Sequence, residues 1–201
     1  MTALVVGFDL DMTLIDSRPG IRATYAELAA RTGTEIDLDL VTSRLGPPLE
    51  HELAHWFPAD AIDEAAEEYR ALYPDIAIER IEAMPGAHDA LQAVRDLGGE
   101  PLVVTAKNRR NAGLHLSHLG LEADLVGDAW RLQKAGVLRE RAARAYVGDH
   151  EHDMEAARAA SVVGLGVPTG PCTPGQLRAA GADHVVDSLS ILAERLPDLL
   201  G

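Results

Sequence analysis

Lysine is almost missing from this chain. Of 201 residues only Lys107 and Lys134 are lysines, and every other basic side chain is arginine. Cysteine is rarer still: Cys172 stands alone, so no intrachain disulfide forms and no zinc site is built from cysteines. Positive charge is in deficit, with 18 basic against 32 acidic side chains and a formal net charge of −14. A surface of that sign repels phosphate backbones, which argues against nucleic acid as a partner. A small anionic substrate would have to be met locally, by a few cations or a metal. Long apolar runs are also absent. No stretch approaches the roughly 18 residues of a membrane span, and Met1 to Asp9 lacks the basic start and apolar length of a secretory signal. The expectation is a cytoplasmic protein, monomer or homodimer, without membrane partners.

Apolar material is plentiful. At 47% hydrophobic and 25% charged, the chain can pack one core, which excludes a mainly disordered protein. Ala3 to Phe8 is a continuous apolar run, β-branched at its centre and stopped by Asp9, as expected of a buried parallel strand. Pro101–Thr105, Ala145–Gly148 and Ser161–Val167 have the same character, with Ala123–Val126 and His184–Val186 weaker. Between them Ala87, Ala90, Leu91, Val94 and Leu97 keep helical spacing, as do Ala112, Leu116 and Leu119. This alternation predicts a doubly wound α/β fold, a parallel sheet covered on both faces, with its chemistry at the carboxyl ends of the strands. Residues 17–81 break the pattern. Ile21, Tyr25, Leu28 and Ala29, then Ile62, Ala65, Ala66, Tyr69, Leu72 and Tyr73, are spaced as helices, Thr34 to Leu40 suits a connection, and Gly46-Pro47-Pro48 breaks the middle. The predicted organisation is a core of 1–16 and 82–201, with an all-helical insert at 17–81.

Four short segments carry candidate chemistry. The first strand ends in Asp9-Leu10-Asp11-Met12-Thr13, two carboxylates at the mouth of the sheet. One would serve as nucleophile or metal ligand, the other as general acid/base, although such a pair also caps turns and occurs in metal-dependent nucleotide-sugar transferases. Gly148-Asp149 ends another strand, and Asp153 follows near a helix start, where an acid also suits the helix dipole. Aspartate oxygens suit Mg²⁺. Thr105, with the backbone N–H groups of Ala106 and beyond, forms an oxyanion cradle before Lys107. Lys107 and Lys134 both follow strands at the carboxyl edge; the alternative for Lys107 is a solvated helix-start residue, although cations there oppose the helix dipole. His150-Glu151-His152 does not have the spacing of a zinc motif. His51 and His55 lie four apart on an expected helix of the insert, facing the site or solvent, and the neighbouring Trp56-Phe57 pair marks a lid surface or an interface.

These segments, in their order, resemble the haloacid dehalogenase-like hydrolase superfamily, in particular its phosphoglycolate-phosphatase-like members with a helical cap. The matching residues are Asp9, Asp11, Thr13, Thr105, Lys134, Gly148, Asp149 and Asp153, and the insert falls where those enzymes carry their cap. The resemblance implies a Mg²⁺-dependent phosphatase of small phosphorylated metabolites. Asp9 would attack phosphorus to form an aspartyl-phosphate, and Asp11 would protonate the leaving alcohol and then activate water. Asp9, Asp11, Asp149 and Asp153 would hold the metal, and Thr105, Ala106, Lys134 and Leu10 the phosphoryl group. The stretch from Lys134 to Asp149 is shorter than the family pattern and no proline follows the lysine, which leaves Lys107 as a second candidate. Arg44 and Lys107 are candidates for substrate contact. A cap without lysine excludes a Schiff-base phosphonoacetaldehyde hydrolase. A phosphoglucomutase-like shuttle and a catalytically silent binding module remain the alternatives.

Overall fold

In the computed structural model, which describes residues 4–200, the chain opens with β1 (Val5–Phe8) and the two-residue β2 (Ile15–Asp16). The expected strand start at Ala3 lies outside the described residues. Four helices follow, α1 (Arg18–Thr32), α2 (Leu38–Ser43), α3 (Leu49–Leu53) and α4 (Ile62–Ala77), and a 3-10 turn leads into β3 (Glu82–Ala83). Helix and strand then alternate through α5 (Ala87–Asp96), β4 (Glu100–Val104), α6 (Arg109–Leu119), β5 (Asp124–Val126), α7 (Leu132–Glu140) and β6 (Ala145–Gly148). The chain closes with α8 (Glu151–Ala160), β7 (Val163–Gly166), α9 (Pro174–Ala180), β8 (His184–Val185) and α10 (Leu189–Leu200).

Six strands form one parallel sheet in the order β5-β4-β1-β6-β7-β8. The chain builds outward from β1 to β5, then returns to the other side of β1 with β6. Strand order therefore reverses beside β1, which is where doubly wound sheets open a crevice. Both faces are apolar because both are covered. Val6 and Phe8 join Val103, Val147 and Leu165 under the leucines and alanines of α5 and α10, while Val5 joins Leu102, Val104 and Tyr146 under α7 and α8. Burial of a side chain such as Phe8 contributes about 1.5–3 kcal/mol. Gly7 sits where any Cβ would come within 2.8 Å of Leu138 and Tyr146, so its lack of a side chain lets α7 approach the sheet.

One expectation is corrected, and one feature was not anticipated. A small antiparallel ribbon, Ile15 opposite Ala83 and Asp16 opposite Glu82, lies just outside 17–81, and two-residue strands are too short to announce by alternation. Thr34 to Leu40 is a connection only in its first half: the Asp37 carboxylate accepts hydrogen bonds from the backbone N–H groups of Asp39 and Leu40 and starts α2.

Candidate active site

Asp9 and Asp149 directly follow the neighbouring strands β1 and β6, and Asp153 is the third residue of α8. Register brings them together, because Phe8 pairs with Val147 and the Asp9 N–H donates to the Val147 carbonyl at 2.8 Å. One carboxylate oxygen of each of the three lies within 4.8 Å of the others, and all three residues are buried. Lys134, the third residue of α7, donates from Nζ to Asp9 Oδ1 at 2.8 Å and to Asp153 Oδ1 at 2.7 Å. The Thr13 hydroxyl donates to Asp149 Oδ1 at 2.7 Å. Asp153 also caps its own helix, accepting from the His150 N–H at 3.2 Å. Two glycines make room: a Cβ on Gly148 would run into Asp153, and one on Gly170 into the Asp149 carboxylate.

The turn after β1 is held in an uncommon conformation. Met12 takes a left-handed φ of 62°, its carbonyl accepts from the Thr169 hydroxyl at 2.6 Å, and Leu14 N–H bonds back to the Leu10 carbonyl at 2.9 Å. Asp11 faces the same cavity as Asp9 and meets the loop between β4 and α6. Lys107 Nζ donates to Asp11 Oδ1 at 2.7 Å and stands 4.9 Å from the centre of the Tyr73 ring. The Tyr73 hydroxyl in turn lies 3.0 Å from Nε2 of the buried His115. Lys107 is thus a buried partner of Asp11, correcting the solvated alternative. The two lysines divide the site, Lys134 on Asp9 and Asp153, Lys107 on Asp11.

Electrostatics follow from burial. Desolvation pushes the Asp9 carboxyl up to about 7, with Lys134 opposing and Asp153 and Asp11 adding repulsion. Desolvation and repulsion from Asp153 and Asp9 likewise push Asp149 well above the usual carboxylate range. Asp11 moves the other way: burial alone would raise it, but the charge and hydrogen bond of Lys107 outweigh burial and hold it low. Burial, then the charge of Lys107, lowers His115 to about 4. Three buried carboxylates around one ammonium are over-charged, which is why two of them resist ionisation. A hard divalent cation would relieve that excess, and an all-oxygen donor set fits one.

A cavity of about 320 Å³ opens above these groups, lined by Asp9, Asp11, Thr105 and Ala106 from the sheet edge and by Arg44 and Tyr73 from the helical segment. Thr105 is buried, and its hydroxyl accepts from the Lys107 N–H at 3.2 Å. Leu10 is fully buried and does not line the cavity. Arg44 lines the cavity but is held by Glu52 at 2.5 Å. His51 is on α3, whereas His55 falls in the turn beyond it, so the two do not share a helix face. His51 packs edge-on against Trp130 with ring centres 4.5 Å apart. Trp56 and Phe57 are half-buried, packed on the core, and do not form an exposed patch. Cys172 is buried in a small apolar cluster with Met154 and Leu177. Sequence reasoning missed Tyr73 and His115, which helical spacing cannot distinguish from ordinary core residues.

A doubly wound sheet whose central strand ends in a D-x-D pair, facing a second acidic pair and a lysine, defines an α/β enzyme core built around a buried aspartate. The chain belongs to the haloacid dehalogenase-like hydrolase family, whose model matches residues 6–158, and a second model of related hydrolases matches 125–192. It is 32% identical to the plasmid phosphoglycolate phosphatase of Cupriavidus necator, over 99% of this chain and 93% of that one. It is 30% identical to the tyrosine-protein kinase PtkA of Mycobacterium tuberculosis over 77% of this chain, which is 58% of that protein. A haloacid dehalogenase-like family hydrolase from Streptococcus pneumoniae superposes with a TM-score of 0.82 at 23% identity, over 96% of this chain and 98% of that one.

Proposed function

We propose that this chain, a phosphatase of the haloacid dehalogenase-like family, hydrolyses small phosphomonoesters with Mg²⁺ through an aspartyl-phosphate on Asp9. The observation that carries the reading is the meeting of Asp9, Asp149, Asp153 and Lys134 at one strand edge, with Asp11 turned toward the same cavity. Asp9, Asp149, Asp153 and the Asp11 backbone would hold the metal, which when bound neutralises charge on the phosphoryl oxygens. Lys134 orients the Asp9 carboxylate and, with Thr105 and the N–H groups of Leu10 and Ala106, supplies positive charge and donors to the transferring group. Asp9 attacks phosphorus in line, and the leaving oxygen takes its proton from Asp11. Asp11 then removes a proton from the water that attacks the aspartyl-phosphate. Lys107 keeps Asp11 ionised in the free enzyme and fixes where its carboxyl points, so the proton given to the leaving oxygen is taken up by Asp11 from solvent as the anionic substrate binds beside it. Residues 17–81 act as the cap that closes the cavity over the substrate and excludes water.

The test is phosphate release from a panel of phosphomonoesters and para-nitrophenyl phosphate, with Mg²⁺ and with a chelator, in wild type and Asp9→Asn. The expected outcome is Mg²⁺-dependent release that falls by at least about 10³-fold in the variant. Release that persists in Asp9→Asn would remove Asp9 as nucleophile. Transfer between sugar phosphates without net release would instead support the mutase alternative.

A further inference from the structure

Every cation that lines the cavity already has a carboxylate. Arg44 donates to Glu52 at 2.5 Å, Arg70 is bonded to Glu50, and Lys107 donates to Asp11 at 2.7 Å. Asp9 and Asp128 also line it, so carboxylates outnumber cations five to three. A divalent ion at the aspartate triad would be matched by the substrate's phosphate dianion, so it leaves no positive charge for a second anionic group. What remains for the leaving alcohol is uncharged. Tyr25 and Tyr69 have ring centres 4.7 Å apart, Tyr69 and Tyr73 5.6 Å, and all three line the cavity. Asn108, Asn111 and Gln133 contribute neutral amides. Trp130 Nε1 is a buried neutral donor without a partner, and the residue lines the cavity; Arg44 Nε is also unbonded, although the charge of its guanidinium is matched by Glu52.

A substrate carboxylate would enter a site with negative charge in excess and would have to share Arg44 or Arg70 with Glu52 or Glu50. Uncharged hydroxyls carry no such penalty and suit amide and indole donors beside aromatic faces. We infer that the preferred substrates are phosphomonoesters of uncharged, hydroxyl-bearing alcohols, and that Glu52 and Glu50 act as specificity residues by occupying the arginines a carboxylated alcohol would need. The phosphoglycolate-named relative thereby differs from this chain in substrate class. The inference rests on the phosphomonoester reading above, and the test separates the two.

Two matched pairs serve as probes: 2-hydroxyethyl phosphate against 2-phosphoglycolate, and glycerol 3-phosphate against 3-phosphoglycerate. Calorimetric titration of Asp9→Asn in Mg²⁺ measures binding without turnover, and wild-type phosphate release measures the reaction. The uncharged member of each pair is expected to bind roughly tenfold or more tightly, and Glu52→Gln, which removes the negative charge opposite Arg44, to move that ratio several-fold toward the carboxylated member. Equal or tighter binding of the carboxylated members overturns the inference, as does failure of all four to bind. Wild-type turnover of para-nitrophenyl phosphate in either case would leave the phosphatase reading standing. A preserved binding order without any phosphate release would instead sink the reaction and keep the ligand class.

Discussion

At the scale of single residues, the site is a problem in buried charge. Burial and the neighbouring carboxylates hold Asp9 and Asp149 above the usual carboxylate range, while Lys107 holds Asp11 below it. Those acids, Thr105 and Lys134 were legible in the sequence because the chemistry demands acidic residues at strand ends, and strand ends can be found from apolar runs. Lys107 was legible as a position but not as a partner, since its Asp11 lies 96 residues away. The pairing of Arg44 with Glu52 and the burial of Tyr73 and His115 were illegible for the same reason: they depend on packing that no spacing encodes. His115 yields a prediction of its own. Burial and the charge of Lys107 depress it from an ordinary 6.5 to about 4, so the unfolded chain takes up its proton at a higher pH than the folded one. Stability from this group is therefore lost as pH falls through that window. Between about pH 7.5 and about pH 4.5, wild type should lose roughly 2–3 kcal/mol more than His115→Gln in urea titrations. Parallel losses in the two proteins would show that His115 is protonated in the fold.

At the scale of elements, local signals and the sheet agree. Each of the six parallel strands was announced by an apolar run, and strand boundaries differ from expectation by a residue or two because the ladder of hydrogen bonds begins and ends where the neighbouring strand does. The β2–β3 ribbon escaped because two residues have no period. Helices α8 and α9 both begin with capping boxes, His150 with Asp153 and Thr173 with Gln176. The first ties structure to chemistry, since the residue that caps α8 also reaches Lys134. The second is purely structural: the Thr173 hydroxyl accepts from the Gln176 N–H at 3.3 Å on an exposed surface. Thr173→Ala should cost about 1 kcal/mol of unfolding free energy, read by chemical denaturation. A change near zero would mean that water replaces the cap without cost.

At the scale of the whole molecule, a doubly wound sheet supplies the crevice and the helical segment supplies its roof. The four helices between β2 and β3 were legible because an interruption of strand–helix alternation stands out against the rest of the chain. The substrate class was not, since it depends on which cavity charges cancel. Among the described residues no helix is long and apolar enough to cross a membrane. The net charge of −14 has a kinetic consequence. An anionic phosphomonoester approaches against the field of the whole protein, and salt screens that field within about 10 Å at 0.1 M. At saturating Mg²⁺, kcat/KM should therefore rise by about twofold or more between low and physiological ionic strength. A steady fall with salt would mean that local cations, rather than net charge, govern encounter.

The central claim is that Asp9 carries the phosphoryl group. A single turnover with a radiolabelled phosphomonoester, quenched in acid at early times and digested, tests it directly. The account predicts label on the peptide containing Asp9, appearing before free phosphate and absent from Asp9→Asn. Phosphate released at the normal rate with no labelled protein at any time would contradict it.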